Sequence, residues 1–270
     1  MIEERIVHSW NDLQACLYDI PTTKHGRHRS NYVYRGMDKA SWGLDTSLQR
    51  IGAHAASVER SMLRNFLKYA GREVSPTDSF LYKLAVAQHH GLPTRVLDWS
   101  TAPKVAVHFA TGDEQLFHED GVIWCVDVAA AREFLPERLR ALLSKHDAFV
   151  FAIELLDDLK DLGAFDEEAG GEEFVLFFEP PSLDGRIINQ GAMLSLMPGP
   201  ALNLAMFLDK PERHRLARRI IVPAALKWEI RDKLDQDNIS ERMLFPGLDG
   251  TAKWLKRYYG AGPNRPPPTP

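Results

Sequence analysis

The stretch Gln88-His89-His90-Gly91-Leu92-Pro93-Thr94-Arg95-Val96-Leu97-Asp98-Trp99-Ser100-Thr101-Ala102-Pro103-Lys104-Val105-Ala106-Val107-His108-Phe109-Ala110 decides how this chain is read. It crowds His, Arg, Asp and Trp into a short loop between two apolar segments. Loops hold such groups together where they bind a ligand or one another. Gly91 and Pro93 set a turn, and Val96-Leu97 reads as a short buried strand. Residues 102–110 read as a helix with Ser100 or Thr101 near its N-cap. A strand running into a capped helix turns unpaired N–H groups toward a cavity, which suits an anionic ligand.

Working outward, residues 78–89 read as a helix that delivers Gln88 and His89 at its C-terminal end, and 58–70 as another. Residues 31–36 read as a strand ending in a turn. Further strands are expected at 121–128, at 173–179 (stopped by Pro180-Pro181), at 191–197 and at 218–222. Trp10, Leu13, Leu17 and Ile20 have amphipathic helical spacing, with Ser9 as the cap. Residues 132–145 are expected to be helical, and Pro223 to open a helix running to about 234. Segments 240–245 and 251–259 close the fold. The Pro- and Gly-rich residues 260–270 are expected to be disordered. With no internal repeat and no linker, one α+β domain over 1–259 is the economical reading.

The chain has 270 residues, enough to bury a substantial core, and a net charge of −4. That charge argues against coating nucleic acid by bulk electrostatics. Basic runs nevertheless occur at 24–29 and 213–219, and an acidic run at 157–173. Each is read as a solvated face or loop, with more attention to the run Lys24 to Arg29, which lies just ahead of Tyr34. No apolar run approaches 18 residues, and the N-terminus lacks a signal-peptide pattern, so a cytoplasmic, non-membrane protein is expected. Cys16 and Cys125 stand far apart in apolar settings and read as buried, reduced thiols. Adjacent His89 and His90 point in different directions on a helix, and no metal site is expected.

Together with Tyr34-Arg35-Gly36, Arg186-Ile187-Ile188-Asn189-Gln190-Gly191 and Leu244-Phe245-Pro246-Gly247-Leu248-Asp249-Gly250, the opening stretch resembles the FRG-domain family over roughly residues 30–258. Tyr34 stands where that family's naming motif has Phe. An Arg on an early strand, a strand leading through Ser-Thr into a small-residue helix, and a polar side chain at a later strand edge resemble the ADP-ribosyltransferase plan. The resemblance implies an ADP-ribosyltransferase-like α+β fold of mixed or antiparallel sheets flanked by helices, with NAD as substrate. Arg35 would hold the NAD phosphates, with Tyr34, Gly36, Arg95, Trp99, Ser100 and Thr101 lining the pocket. Asp98 and Gln190 would orient the ribose, and His89 would handle a proton. Fixed dipoles and charge beside the ribose stabilise the positive charge that develops as nicotinamide leaves. The plan's late Glu is here Gln190, a neutral amide, so Asp98 or Glu179 would have to supply the charge.

Each residue also has a plainer reading. Arg35 can serve an internal ion pair with Asp98 or Asp45, Trp99 can fill the core, and Gln190 can satisfy backbone groups. The 244–250 motif reads as a structural corner. The expected function is an intracellular toxin or phage-defence effector that transfers ADP-ribose to a macromolecule. RNA or DNA is favoured over protein as the acceptor, and an antitoxin would be a further partner. The alternatives are a non-catalytic nucleotide- or nucleic-acid-binding sensor, and a hydrolase using His89 and Asp98.

Overall fold

The computed structural model describes residues 1–19 and 26–260. Ile20, Lys24, His25 and the tail 261–270, all of which figure in the sequence reading, lie outside the described residues. Strand β1 (Glu3–Ile6) leads into α1 (Trp10–Tyr18), where the Ser9 hydroxyl accepts the Asp12 N–H and Trp10, Leu13, Cys16 and Leu17 form the buried stripe. Strand β2 (Tyr32–Met37) runs one residue past the expected turn at Gly36. Helices α2 (Ala55–Tyr69) and α3 (Phe80–His89) follow, the second capped by Ser79.

Strand β3 (Leu97–Ser100) corrects the reading of the central stretch. Asp98, Trp99 and Ser100 are strand residues, because each has a partner on a later strand. Helix α4 (Pro103–Ala110) and β4 (Gly121–Asp127) fall close to their expected places. After α5 (Val128–Ala131), the single helix expected over 132–145 breaks. A short 3-10 turn over Arg132–Phe134 ends at Pro136, which has no N–H to donate, and α6 (Glu137–Lys145) begins afresh. The chain continues through β5 (Phe151–Ala152), α7 (Leu162–Glu168), β6 (Leu176–Glu179), α8 (Gly185–Asn189) and β7 (Ala192–Leu196). It ends with α9 (Leu204–Leu208), β8 (Ala217–Val222), α10 (Lys227–Gln236), α11 (Glu241–Leu244) and α12 (Leu248–Tyr258).

The strands form one eight-stranded mixed sheet in the order β1-β8-β4-β2-β3-β7-β6-β5. The β1–β8 and β5–β6 pairs are parallel and the others antiparallel. This is an α+β fold. Strand alternation divides the core. Tyr34, Ile123, Cys125, Ile220 and Val222 pack with α1, α4 and α10 on one face. On the other face Val33, Met37, Trp99, Trp124 and Ile221 pack with α9. Leu194, Leu196 and Phe178 at the far end of the sheet bury against α3, α6 and α7.

Helix α4 lies almost against the backbone of β2 and β4. A Cβ at Gly36 would sit 1.7 Å from the Ala106 carbonyl oxygen, and one at Gly121 would sit 2.4 Å from that of Ala110. Gly36 is therefore required by close helix–strand approach rather than by a left-handed turn. Both cysteines are free and buried, and burial pushes the Cys125 thiol up to about 12. Among the described residues no helix is long and apolar enough to cross a membrane.

Candidate functional site

The sheet is weakest at its middle. Strand β2 pairs with β4 along all six of its residues, and β3 pairs with β7 along all four. Between them β2 and β3 share only the pair Tyr34–Ser100. Beyond Tyr34 the two halves of the sheet part, and Arg35 spans the gap, its Nη1 donating to the Asp98 carbonyl at 2.6 Å. The buried Nε of Arg35 has no acceptor. Burial pulls its pKa below the usual arginine value; Asp98 opposes that shift and Arg50 adds to it.

A cavity of about 550 Å³ opens beside this split. Its walls are Arg35, Gly36, Met37 and Asp38 from the end of β2, the following loop with Trp42, Asp45 and Arg50, and Phe109 of α4. Arg50 donates to the Asp45 carbonyl at 2.6 Å. Neither Arg35 nor Arg50 forms an ion pair among the described residues. The two carboxylates in the wall are otherwise engaged. Asp38 accepts the N–H groups of Gly112 and Asp113 at 2.8 and 3.0 Å, and burial raises its pKa. Asp45 accepts from Asn203 Nδ2 at 2.8 Å. Trp42 is 46% exposed. Two uncompensated guanidiniums beside an exposed indole can hold an anion that carries a planar ring.

A second, far smaller cleft of about 60 Å³ is lined by Gln88, His89, Asp98, Arg186 and Gln190 among others. The Asp98 carboxylate, exposed on β3, accepts from Gln88 Nε2 at 2.7 Å, and Gln88 Oε1 in turn accepts from the Thr94 hydroxyl. His89 Nε2 lies 3.0 Å from Asp184 Oδ2. Asp184 also caps α8 through the N–H groups of Arg186 and Ile187. Desolvation works against its charge, yet these contacts and His89 hold its carboxyl below the usual range. Of four residues expected to converge, His89, Asp98 and Gln190 share this cleft. Arg35 faces the larger cavity from the other side of the Asp98 main chain.

Several expected ligand contacts are structural instead. Tyr34 points to the opposite sheet face from Arg35, is buried in the core and pairs its hydroxyl with Ser30. Arg95 is buried between Glu59 and Asp166, an ion-pair group that fixes α2 and α7 to the start of β3. Trp99 packs edge-on against Phe177 and donates to the Ser195 hydroxyl at 2.8 Å. Ser100 does not cap α4: its hydroxyl donates to the Gln190 carbonyl at 2.6 Å and accepts the Ala102 N–H. Thr101 donates both its N–H and its hydroxyl to the Gly191 carbonyl. Gly191 thus packs against Thr101 and Ala102, the two residues that lead into α4. Gln190 ends α8, not a strand edge, and its Nε2 holds the Leu244 carbonyl at 2.9 Å. The anticipated ion pair of Arg35 with Asp98 or Asp45 is a contact with the Asp98 main chain.

The 244–250 motif is a corner, as its composition implies, although no carboxylate caps α12, which starts from Gly247 at φ +117. Gly250 allows α12 to lie on α11, since a Cβ there would meet the Phe245 carbonyl oxygen at 1.9 Å. Behind it Arg231, Glu241, Arg257 and His108 form a buried network joining α4, α10, α11 and α12. The basic run at 213–219 is engaged within the protein, by ion pairs of Arg213, Arg215 and Arg219 with Glu173, Glu133 and Glu4 and by stacking on rings. Arg213 stacks on Phe207, Arg218 on Tyr32 and Arg219 on Trp124.

Sequence reasoning missed Trp42, Arg50, Asp38 and Asp184. The available signal was Ser41-Trp42-Gly43, a lone large aromatic among small residues directly after the Arg35 strand.

The model of the FRG domain family matches residues 30–119. The match covers a third of the chain. That span carries every wall of the larger cavity, from β2 through Arg50 to Phe109, together with Gln88, His89 and Asp98. Asp184, Gln190 and α10 lie outside the matched segment but touch it at His89, Ser100 and α4 respectively. No curated protein and no solved structure matches the chain.

Proposed function

We propose that the protein binds NAD at the split between β2 and β3 and transfers its ADP-ribose to a macromolecule, nucleic acid in preference to protein. The observation that supports this reading is the pair of guanidiniums, Arg35 and Arg50, without carboxylate partners in one cavity of about 550 Å³. Cavities for small ligands run from roughly 300 to 1,000 Å³, so that space suits a nucleotide whereas the 60 Å³ cleft does not. The diphosphate would sit between Arg35 and Arg50 and a ring on Trp42. Asp98, whose carboxylate lines the small cleft beyond the Arg35–Asp98 contact, is the one we assign to the ribose, which would have to reach past that contact from the cavity to where positive charge builds as nicotinamide leaves. His89, hydrogen-bonded to Asp184 in the same small cleft, is the group we assign to move a proton. We extend this reading to a toxin or phage-defence effector restrained by an antitoxin.

A second reading, a nucleotide sensor without turnover, is favoured by what Gln190, Ser100 and Thr101 do. All three are engaged with main-chain groups rather than turned to a ligand.

The test is NAD titration and nicotinamide release, with Arg35→Ala as the partner variant and thermal unfolding as the check of folding. Binding with turnover, both lost in folded Arg35→Ala, supports the transferase. Binding without nicotinamide release supports the sensor. NAD that neither binds nor is cleaved refutes the transferase and leaves the sensor reading, for another nucleotide or a nucleic acid.

A further inference from the structure

On another part of the surface a groove of about 360 Å³ runs between α2, α3 and the segment entering α7. Its floor is apolar: Leu63 and Leu67 on α2, Phe80 at the start of α3 and Leu162 at the start of α7. Phe80 and Leu162 belong to the core beneath, while Leu63 and Leu67 are only half-buried. Around the floor stand Arg60 and Arg64 on α2, Lys83 on α3, and Lys160.

None of these four cations forms an ion pair among the described residues, and Lys83 donates only to the Pro76 carbonyl, at 2.9 Å. The carboxylate in the wall, Asp161, is committed to capping α7 through the Ala164 N–H at 3.0 Å. Nearby acids are also taken: Glu59 and Asp166 by Arg95, Asp158 and Glu168 by Arg138. A chain of net charge −4 therefore gathers four cations that form no ion pair among the described residues, and one carboxylate, around one recessed apolar strip.

We propose that this groove docks an acidic amphipathic helix of a partner protein. Arg60, Leu63, Arg64 and Leu67 recur at i, i+3, i+4 and i+7, so cations and leucines share one face of α2 over about 10 Å. A helix laid alongside would press apolar side chains into the floor and bring its carboxylates against the rim. Nucleic acid would engage the cations and leave the apolar floor unused. A lipid surface would meet the projecting cations but not the recessed floor. The inference is independent of NAD binding at the split.

The test uses the full chain and a fluorescent synthetic helical peptide with Leu at i, i+3, i+4 and i+7 flanked by Glu. Matched peptides replace Glu by Lys, or Leu by Ser. By anisotropy the Glu/Leu peptide should bind, more weakly as salt rises, and both matched peptides should fail. Arg60→Glu combined with Arg64→Glu, both at exposed positions, should weaken binding roughly tenfold or more. Leu67→Gln should weaken it as well, and Arg35→Ala should leave it unchanged. The proposal is overturned if the Glu/Leu peptide does not bind or if the double variant binds it normally. It is equally overturned if the Ser peptide, single-stranded RNA or anionic phospholipid vesicles compete as well as the Glu/Leu peptide does.

Discussion

Replacing Arg35 by Lys separates a planar, forked contact from simple positive charge. Arg35 has one donor on the Asp98 carbonyl at 2.6 Å and its Nε buried without an acceptor, which leaves the remainder of the fork for a ligand in the adjoining cavity. Lys keeps the charge and loses the paired donors that match a phosphate edge. A charge-assisted hydrogen bond contributes roughly 1.5–3 kcal/mol, so NAD affinity should fall by about tenfold to a hundredfold. Stability should change much less. The variant loses one hydrogen bond to a carbonyl but also removes a buried unsatisfied N–H, and the two effects oppose each other. A net change under about 1 kcal/mol corresponds to a shift of less than roughly 4 °C in Tm for a chain of this size. Calorimetric titration with NAD, ADP-ribose and pyrophosphate, beside thermal unfolding, measures both quantities. Unchanged NAD affinity in Arg35→Lys would refute a bidentate phosphate contact. A Tm drop of more than about 10 °C would assign Arg35 to holding the two half-sheets together.

Three further outcomes are expected. Gly36→Ala places a Cβ 1.7 Å from the Ala106 carbonyl oxygen, a backbone clash that no rotamer relieves, and should cost about 3 kcal/mol or more by chemical denaturation. Burial and the neighbouring Arg231 hold the His108 pKa at about 3 against an ordinary 6.5, so the folded chain binds fewer protons than the unfolded chain between those values. Stability therefore rises with pH across that window and is lost as pH falls through it, at up to about 1.4 kcal/mol per pH unit from this one group. Glu241, held at about 2 by Arg257 and Arg231 despite desolvation, adds a loss of the same sign below pH 4.5. His108→Gln should flatten the urea-midpoint profile between pH 6.5 and 4.5, and an unchanged slope would rule His108 out as its source. Asp98→Asn should reduce transfer of label from NAD more than Gln190→Ala, because only Asp98 carries charge. Gln190→Ala should chiefly lower stability, by about 1 kcal/mol, through the lost bond to the Leu244 carbonyl.

Apolar periodicity and turn chemistry made much of this protein legible before any coordinates. The strands at β2, β4, β6, β7 and β8, the cap at Ser9, and the corner at 244–250 all follow from residues close together in the chain. Local rules also mark Arg35, Gly36 and Asp98 as unusual, since a Gly in a strand and a charge beside Trp are costly without a reason. What local rules do not contain is register. Trp99 and Ser100 are strand residues because Met193 and Ala192 lie opposite them, and no property of 97–100 alone announces those partners. The same holds for charge. Arg95 and Arg35 are both arginines near an apolar strand, yet Arg95 is buried against Glu59 and Asp166 while Arg35 faces a cavity without a carboxylate partner. That difference is made by α2 and α7 arriving from distant sequence. The split between β2 and β3, which creates the cavity and gathers Arg50 and Trp42 beside Arg35, likewise depends on how far two strands stay paired. The sequence by itself determined most of the longer elements and the unusual side chains. Only the tertiary structure decided which of those side chains have their hydrogen bonds and charges satisfied within the protein, and which remain turned toward a ligand, because that depends on partners supplied from elsewhere in the chain.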